Sequence, residues 1–132
     1  MIVAVGLDII ELTRIAKVWQ RHPQRFLDRH FTAEEIAYCL RKSQPVASLA
    51  ARFAVKEAFQ KCWPHSHGWK DVWTERKGVK PQLGFAPLIA QAMQDQQLRA
   101  HLSLSHSRDH AAAMVVLEHI AFASAAMKTT SG

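Results

Sequence analysis

The chain has 132 residues, which is the usual length of one domain and too short for two hydrophobic cores. Apolar residues make up 48% of it and charged residues 21%, a composition typical of an ordinary globular protein. Because no run of roughly 18 apolar residues is present, the sequence predicts no membrane-spanning helix. Seventeen Lys and Arg against eleven Asp and Glu give a net charge of +6, which favours an anionic partner without identifying it.

The first residues and the two cysteines bear on where the protein works. The segment from Met1 to Asp8 has no basic n-region, and its carboxylate comes too early for the apolar region of a signal peptide. We therefore expect a cytoplasmic protein. Cys39 and Cys62 lie in segments predicted to be helical and have no CxxC spacing, so we expect reduced thiols that pack in the core.

The first half of the chain is predicted to be one strand followed by helices. The apolar, β-branched run at residues 2–10 is typical of a buried strand. Pro23 interrupts or restarts the first helix, and Pro45 begins a longer one. Thr32 and Glu35 have the spacing of a capping box. The predicted helices cover residues 11–22, 32–40 and 45–62.

The second half changes to a period of two residues after a loop rich in Pro, Gly and Ser. The predicted strands cover residues 72–76, 82–85, 101–106 and 111–118, with one further helix at 87–97. Residues 1–120 are expected to form a single domain, and the small or polar residues 121–132 a frayed tail. The elements indicate an α+β fold in which a small antiparallel sheet packs with a long central helix.

Asp8 stands out because it lies between apolar neighbours in the first predicted strand, which we expect to be buried on both faces. An ionised carboxylate there is costly unless it is paired or bound to a metal. In a purely structural interpretation, Asp8 ends the strand and caps the following helix. The sequence leaves both interpretations open.

Glu57 interrupts an otherwise apolar face of the longest predicted helix. It could pair with Arg52 or Lys56 in a structural role. Alternatively, Glu57 and Asp8 converge on a hard cation, because proteins usually hold magnesium with one or two carboxylates plus substrate phosphates and waters. Lys56 and Lys61 could then contact phosphate oxygens, so the combination indicates a phosphate-containing substrate.

Basic side chains recur every three or four residues early in the chain. They are Arg14, Lys17, Arg21, Arg25 and Arg29. Pro23 divides this stripe into two short patches. A solvated basic face is the ordinary interpretation, and docking onto an acidic helix or nucleic acid is the functional alternative.

The eight histidines are scattered, and no pair has the i, i+4 spacing of a metal site within one helix. His106 differs because it ends a predicted strand beside Ser105 and comes just before a turn. That position suits either a residue that faces a ligand or a hydrogen-bonded structural histidine.

Four motifs in this order resemble the holo-acyl-carrier-protein synthase family, from residue 2 to about 118. They are similar to G-[IL]-D-[IL]-x-E-x-x-R-[IL] at residues 6–15, F-T-x-x-E at 31–35, R-[FW]-A-x-K-E-A-x-x-K at 52–61 and S-[IL]-[ST]-H at 103–106. The chain departs from the G-[KR]-P turn of that family by one inserted residue, in Gly78-Val79-Lys80-Pro81.

The resemblance implies a 4'-phosphopantetheinyl transferase fold and a magnesium-dependent enzyme. Such an enzyme moves the 4'-phosphopantetheine arm of coenzyme A onto a serine of apo acyl carrier protein and releases adenosine 3',5'-bisphosphate, in support of fatty acid biosynthesis. Mn²⁺ is an alternative to Mg²⁺, since both take oxygen ligands. The resemblance further implies a homotrimer with active sites between subunits, and neither nucleic acid nor a membrane as a partner.

The family motifs also imply roles for individual residues. Asp8 and Glu57 match the metal ligands, and Lys61 and His106 complete the catalytic set. Coenzyme A would contact Arg52, Lys56 and Ser105, and the carrier protein would dock on Arg14, Arg21 and Arg25. Glu57, Asp8 through a water, or a metal-bound hydroxide could take the serine proton. A non-catalytic basic binding module and a hydrolase that uses the same ion are the alternative functions.

Overall fold

The structure, a computed structural model, describes residues 1–120, and the tail predicted at residues 121–132 lies outside the described residues. The strands are β1 (Ile2–Glu11), β2 (Val72–Lys77), β3 (Lys80–Phe85), β4 (Leu98–His106) and β5 (His110–His119). The helices are α1 (Leu12–Arg21), α2 (Pro23–His30), α3 (Ala33–Leu40), α4 (Pro45–Cys62) and α5 (Pro87–Asp95). A short 3-10 helix at Trp69–Asp71 precedes β2.

The strands form two antiparallel sheets, which confirms the predicted α+β class. One sheet has the strand order β1-β5-β4, and the other is the β2-β3 hairpin. The central helix α4 packs across β1 and β5, and most of its residues are buried. Within residues 1–120, no helix is long and apolar enough to cross a bilayer.

Local signals explain where the helices begin. Thr32 and Glu35 form the predicted capping box, in which the Glu35 N–H donates to Thr32 Oγ1 at 3.2 Å and the Thr32 N–H donates to Glu35 Oε1 at 3.1 Å. Pro23 and Pro45 lie at the start of α2 and α4, where the missing N–H needs no partner. Pro23 therefore restarts the helix, and the basic stripe is divided between α1 and α2.

The β2-β3 hairpin accommodates the inserted residue of the turn. Lys77 pairs with Lys80, so Gly78 and Val79 form a two-residue loop. Gly78 has a φ of +81°, and a glycine at the first position of such a loop is typical of a type II′ turn. The extra residue therefore lies at the tip of the hairpin, where Val79 is 90% exposed.

β1 packs on α4 through one face only. Gly6 and Ile10 are buried on that face. A Cβ on Gly6 would overlap the Ala58 carbonyl oxygen and would lie 2.7 Å from Cys62 Sγ, so only glycine permits this close approach of strand and helix. The expectation that β1 is buried on both faces is wrong. β1 is an edge strand, and nothing in the described chain covers its other face.

The two cysteines are free and buried, as predicted. Cys62 Sγ lies 3.5 Å from the carbonyl oxygens of Ala58 and Val115, between α4 and β5. Burial raises the pKa of the Cys39 thiol to about 11 and also raises that of Cys62. Neither thiol is therefore a reactive thiolate at neutral pH.

A buried ion pair joins α3, α4 and β2. Lys56 Nζ lies 2.8 Å from Glu35 Oε1, and each side chain is at most 2% exposed. The Lys56 ammonium also donates to the carbonyl oxygens of Trp69 at 2.9 Å and Val72 at 2.6 Å. The Thr74 N–H donates to Glu35 Oε2 at 3.1 Å. Burial lowers the pKa of Lys56, and the neighbouring Glu35 carboxylate opposes this shift.

Candidate active site

The pleat of β1 sets the position of Asp8. Side chains alternate along a strand, so Asp8 shares the face of Gly6 and Ile10, which points toward α4. Lys61 Nζ, near the end of α4, lies 3.2 Å from Asp8 Oδ1 and donates to the Leu7 carbonyl oxygen at 2.7 Å. The Asp8 side chain is 16% exposed. The carboxylate is therefore partly buried at the junction of β1 and α4.

The interpretation of Asp8 as a helix cap is wrong. β1 continues to Glu11, which is itself the N-cap residue of α1 and makes no side-chain cap hydrogen bond. Asp8 lies three residues before that cap, within the strand. Its position is therefore explained by its contact with Lys61 of α4 and not by capping of α1.

Glu57 lies four residues before Lys61 on α4, so the two side chains project from the same side of the helix one turn apart. Glu57 is half-buried. Among residues 1–120, its carboxylate has no ion-pair partner within 4.0 Å. The structural alternative is not observed, because Lys56 pairs with Glu35 and the Arg52 guanidinium lies over the Tyr38 ring.

The two carboxylates fit a hard cation better than zinc. No group of three or more His, Cys, Asp and Glu that could hold a metal occurs in residues 1–120, so a closed zinc site is not formed there. Magnesium needs only one or two carboxylates when phosphates and waters supply the remaining oxygens. Asp8 contacts Lys61, and Glu57 lies one helical turn before Lys61, so both carboxylates are oxygen donors of the kind that such a site would use.

A cavity of about 500 Å³ brings together three predicted site residues: Arg52 and Ser105, expected to contact substrate, and His106, expected in the catalytic set. It lies beside the first half of α4, at the ends of α3 and β4. Neither Asp8 nor Glu57 lines it in the described chain. Glu57 is five residues beyond Arg52, which corresponds to about 7.5 Å along the helix. The carboxylates and the cavity are therefore neighbouring but separate regions.

Sequence reasoning missed three further residues of the cavity, Tyr38, Lys42 and Arg76. Tyr38 lies on α3 and Lys42 lies two residues beyond its end at Leu40, so no shared helix face drew attention to them. Arg76 gave no sequence signal, because the packing of β2 against α3 and α4 brings it to the cavity. Together with Arg52, these residues make the cavity strongly cationic.

The Tyr38 ring lies at the centre of this charge. Arg52 Cζ is 4.1 Å, Lys42 Nζ 4.6 Å and Arg76 Cζ 5.7 Å from the ring centroid, distances typical of cation–π contacts. Burial raises the pKa of the Tyr38 phenol, but the nearby Lys42 ammonium and the charges of Arg52 and Arg76 outweigh it. The pKa is therefore lowered from its ordinary value.

The other predicted residues lie away from the cavity. Lys56 is buried in the ion pair with Glu35. Arg14, Arg21 and Arg25 are exposed on α1 and α2. Arg25 also lines a shallow groove of about 260 Å³ between these helices, together with Val18, His22, Phe26, Arg29 and His30. The basic patches thus border a partly apolar groove.

Comparison with known proteins places this arrangement in a family. The family model of the 4'-phosphopantetheinyl transferase superfamily matches residues 4–115. A holo-[acyl-carrier-protein] synthase of Thermus thermophilus is 54% identical over 118 residues, which cover 89% of this chain and 94% of the relative. A holo-[acyl-carrier-protein] synthase of Deinococcus radiodurans is 52% identical over 128 residues, covering 91% of this chain and 96% of the relative.

Solved structures agree with this placement. The holo-[acyl-carrier-protein] synthase of Neisseria meningitidis has a TM-score of 0.80 and 31% identity, covering 89% of this chain and 99% of the other. That of Bacillus anthracis, in complex with CoA (3',5'-ADP), has a TM-score of 0.72 and 33% identity, covering 89% and 97%. The family model and the likeness of the fold thus define a 4'-phosphopantetheinyl transferase. Within that superfamily, the chain belongs to the holo-[acyl-carrier-protein] synthase family.

Proposed function

We propose that this chain transfers the 4'-phosphopantetheine arm of coenzyme A to a serine of apo acyl carrier protein, in support of fatty acid biosynthesis. The observation that carries this proposal is the pair of half-buried carboxylates, Asp8 and Glu57, beside Lys61 in a chain that is 54% identical to a holo-[acyl-carrier-protein] synthase. Neither carboxylate is explained by packing alone. A basic binding module would have no use for them.

In this reaction, the serine oxygen bonds to the β-phosphorus of coenzyme A, the bond from that phosphorus to the bridging oxygen breaks, and adenosine 3',5'-bisphosphate leaves. Asp8 and Glu57 would hold Mg²⁺ or Mn²⁺, which when bound offsets negative charge on the pyrophosphate. Lys61 is half-exposed beside Asp8, and its ammonium can turn to donate to a phosphate oxygen. Glu57, or Asp8 through a water, are the bases on the chain that can accept the serine proton.

The test is intact-mass spectrometry of an apo acyl carrier protein incubated with this protein, coenzyme A and Mg²⁺. We expect the carrier to gain about 340 Da, the mass of one phosphopantetheine arm, only when the metal is present. Coenzyme A should stay intact when the carrier is omitted. Cleavage of coenzyme A without a carrier would indicate a hydrolase instead.

Because coenzyme A and the carrier are the substrates, we also propose that the protein acts in the cytoplasm, which cell fractionation tests.

The exposed basic patches are proposed to dock the carrier protein. Arg21 and Arg25 lie at the end of α1 and the start of α2, beside the groove that contains Phe26. An acidic helix with one apolar face fits such a surface. We expect the double variant Arg21→Glu, Arg25→Glu to raise the KM for the carrier roughly 10-fold at low salt, with kcat and the KM for coenzyme A unchanged. Lys70→Glu, at an exposed lysine outside the groove, is the control. An unchanged KM for the carrier would contradict this docking site.

The uncovered face of β1 supports the proposed homotrimer. Its side chains are large, apolar and more than half exposed: Ile2, Val3, Val5, Leu7 and Ile9. A continuous apolar strip of this kind marks a surface that is covered by another chain. The strip lies on the face of β1 opposite to the Asp8 side chain, so it supports assembly with a second copy. Active sites between subunits stay a prediction from the family resemblance.

We expect light scattering of the eluting protein to give three times the chain mass of 14.9 kDa. The double variant Leu7→Lys, Ile9→Lys should elute as a monomer, because a charged side chain is costly in an apolar interface. Val79→Lys changes an even more exposed apolar residue at the hairpin tip and should leave the mass unchanged. A monomeric wild-type protein would rule out the trimer.

A further inference from the structure

Three cations around one tyrosine form an unusual group. Lys42, Arg52 and Arg76 come from the segment between α3 and α4, from α4 and from β2, and each contacts the Tyr38 ring. Like charges this close repel one another. The negative face of the aromatic ring offsets part of that repulsion. The fold therefore holds positive charge together around a neutral side chain.

No carboxylate neutralises this charge within the described chain. The ion pairs formed by residues 1–120 involve other lysines and a histidine, and none includes Lys42, Arg52 or Arg76. Arg52 is only 6% exposed, and its Nε donor has no hydrogen-bond partner in residues 1–120. A buried, unsatisfied guanidinium donor is costly and indicates a missing acceptor. All three cations line the cavity of about 500 Å³.

We propose that Tyr38 is a positioning residue whose ring holds these three cations as a preformed cradle for a phosphate group of coenzyme A. This rests on the proposed function. A phosphate supplies several acceptor oxygens, and arginine forks bind them through charge-assisted hydrogen bonds. Holding the cations in place beforehand removes part of the ordering cost of binding. Tyr38 does not contact the metal-binding carboxylates, so its contribution is to binding and not to the chemical step.

The proposal predicts different results for two substitutions of Tyr38. Tyr38→Leu removes the ring and leaves the cations without their central contact, so the KM for coenzyme A should rise roughly 10-fold while kcat stays within about twofold. Tyr38→Phe keeps the ring and loses only the hydroxyl, so most of the affinity should return. Arg76→Gln, on the exposed side of the cavity, should also raise the KM for coenzyme A, whereas Lys70→Gln should not.

Binding of coenzyme A without carrier protein, measured by calorimetry at two salt concentrations, separates this proposal from the transfer activity. The wild-type protein should bind more tightly than Tyr38→Leu, and the difference should shrink at high salt. Dephospho-coenzyme A, which lacks the 3'-phosphate, identifies the phosphate that the cradle binds. If Tyr38→Leu weakens the binding of coenzyme A and of dephospho-coenzyme A equally, the cradle binds the pyrophosphate. If it weakens the binding of coenzyme A alone, the cradle binds the 3'-phosphate. Either result supports the cradle.

Three results would overturn it. One is unchanged binding by a folded Tyr38→Leu variant, as judged by circular dichroism and a thermal melt. Another is a Tyr38→Phe variant that binds no better than Tyr38→Leu. The third is a fall in kcat with an unchanged KM for coenzyme A. A wild-type protein that binds coenzyme A but modifies no carrier would contradict the proposed function and leave the binding comparison valid.

Discussion

Glu57→Gln is expected to lower the rate of phosphopantetheine transfer roughly 100- to 1000-fold, because losing a few kcal/mol of charge stabilisation costs about tenfold per 1.4 kcal/mol. The fold should be unaffected. Glu57 has no ion-pair partner in residues 1–120, so its neutralisation leaves no opposite charge uncompensated. The substitution therefore separates catalysis from stability, and the transfer rate should be read from the carrier mass over time.

The controls for this experiment use other carboxylates of the chain. Glu34→Gln changes an exposed glutamate on α3 and should leave the rate unchanged. Asp8→Asn should also slow transfer. This variant changes two features at once, because it also removes the ion-pair partner of Lys61. A Mg²⁺ titration should show that Glu57→Gln needs more metal than the wild-type protein. Equal rates and equal Mg²⁺ dependence in both proteins would contradict the assignment of Glu57 as a metal ligand.

The parts of the fold that were predicted correctly are those with local signals. The bounds of α4 agree residue for residue, since Pro45 favours a helix start and the Trp63-Pro64 pair a helix end. The capping box of Thr32 and Glu35 likewise acts over three residues. In both cases the relevant energies come from neighbours along the chain, so they can be recognised without tertiary structure.

The exposure of β1 could not be predicted in this way. An apolar run is compatible with burial inside one chain and with burial between chains, and the sequence pattern is the same in both. Only the strand order, with β1 at the edge of its sheet, shows that Val5, Leu7 and Ile9 are uncovered within the chain. The strand was therefore identified correctly, while the partner that covers it was not.

The residues of the candidate site likewise divide into those with a local sequence signal and those brought together only by the tertiary structure. Asp8 and Glu57 could be predicted as candidate site residues, because a carboxylate among apolar neighbours is conspicuous in any window of the sequence. The cluster of cations around Tyr38 was not predicted, because these cations come from α4, from β2 and from the segment after α3 and meet only in the tertiary structure. A cluster assembled by tertiary contacts has no spacing by which it can be recognised.

Lys56→Met is expected to lower the free energy of unfolding by about 3–5 kcal/mol, the usual cost of breaking a buried ion pair by removing one partner. Three acceptors surround Lys56 Nζ: Glu35 Oε1 and the carbonyl oxygens of Trp69 and Val72. An ammonium has three N–H donors, so none is left for coenzyme A in this arrangement. The substitution would leave the Glu35 carboxylate buried and unpaired.

Lys61, five residues further along α4, provides the matched comparison. Its side chain is 52% exposed and its contact with Asp8 is near the surface, so Lys61→Met should cost no more than about 1 kcal/mol of stability. For Lys56→Met, a loss of 3–5 kcal/mol corresponds to a fall in Tm of roughly 10–20 °C. Thermal melts and transfer kinetics of both variants should therefore separate the roles of the two lysines. Lys56→Met should lower the Tm and leave the KM for coenzyme A of the folded protein unchanged. Lys61→Met should leave the Tm unchanged and lower the rate of transfer. A Lys56→Met variant with a normal Tm and a raised KM would instead support the role in coenzyme A binding that the family motif implies for Lys56.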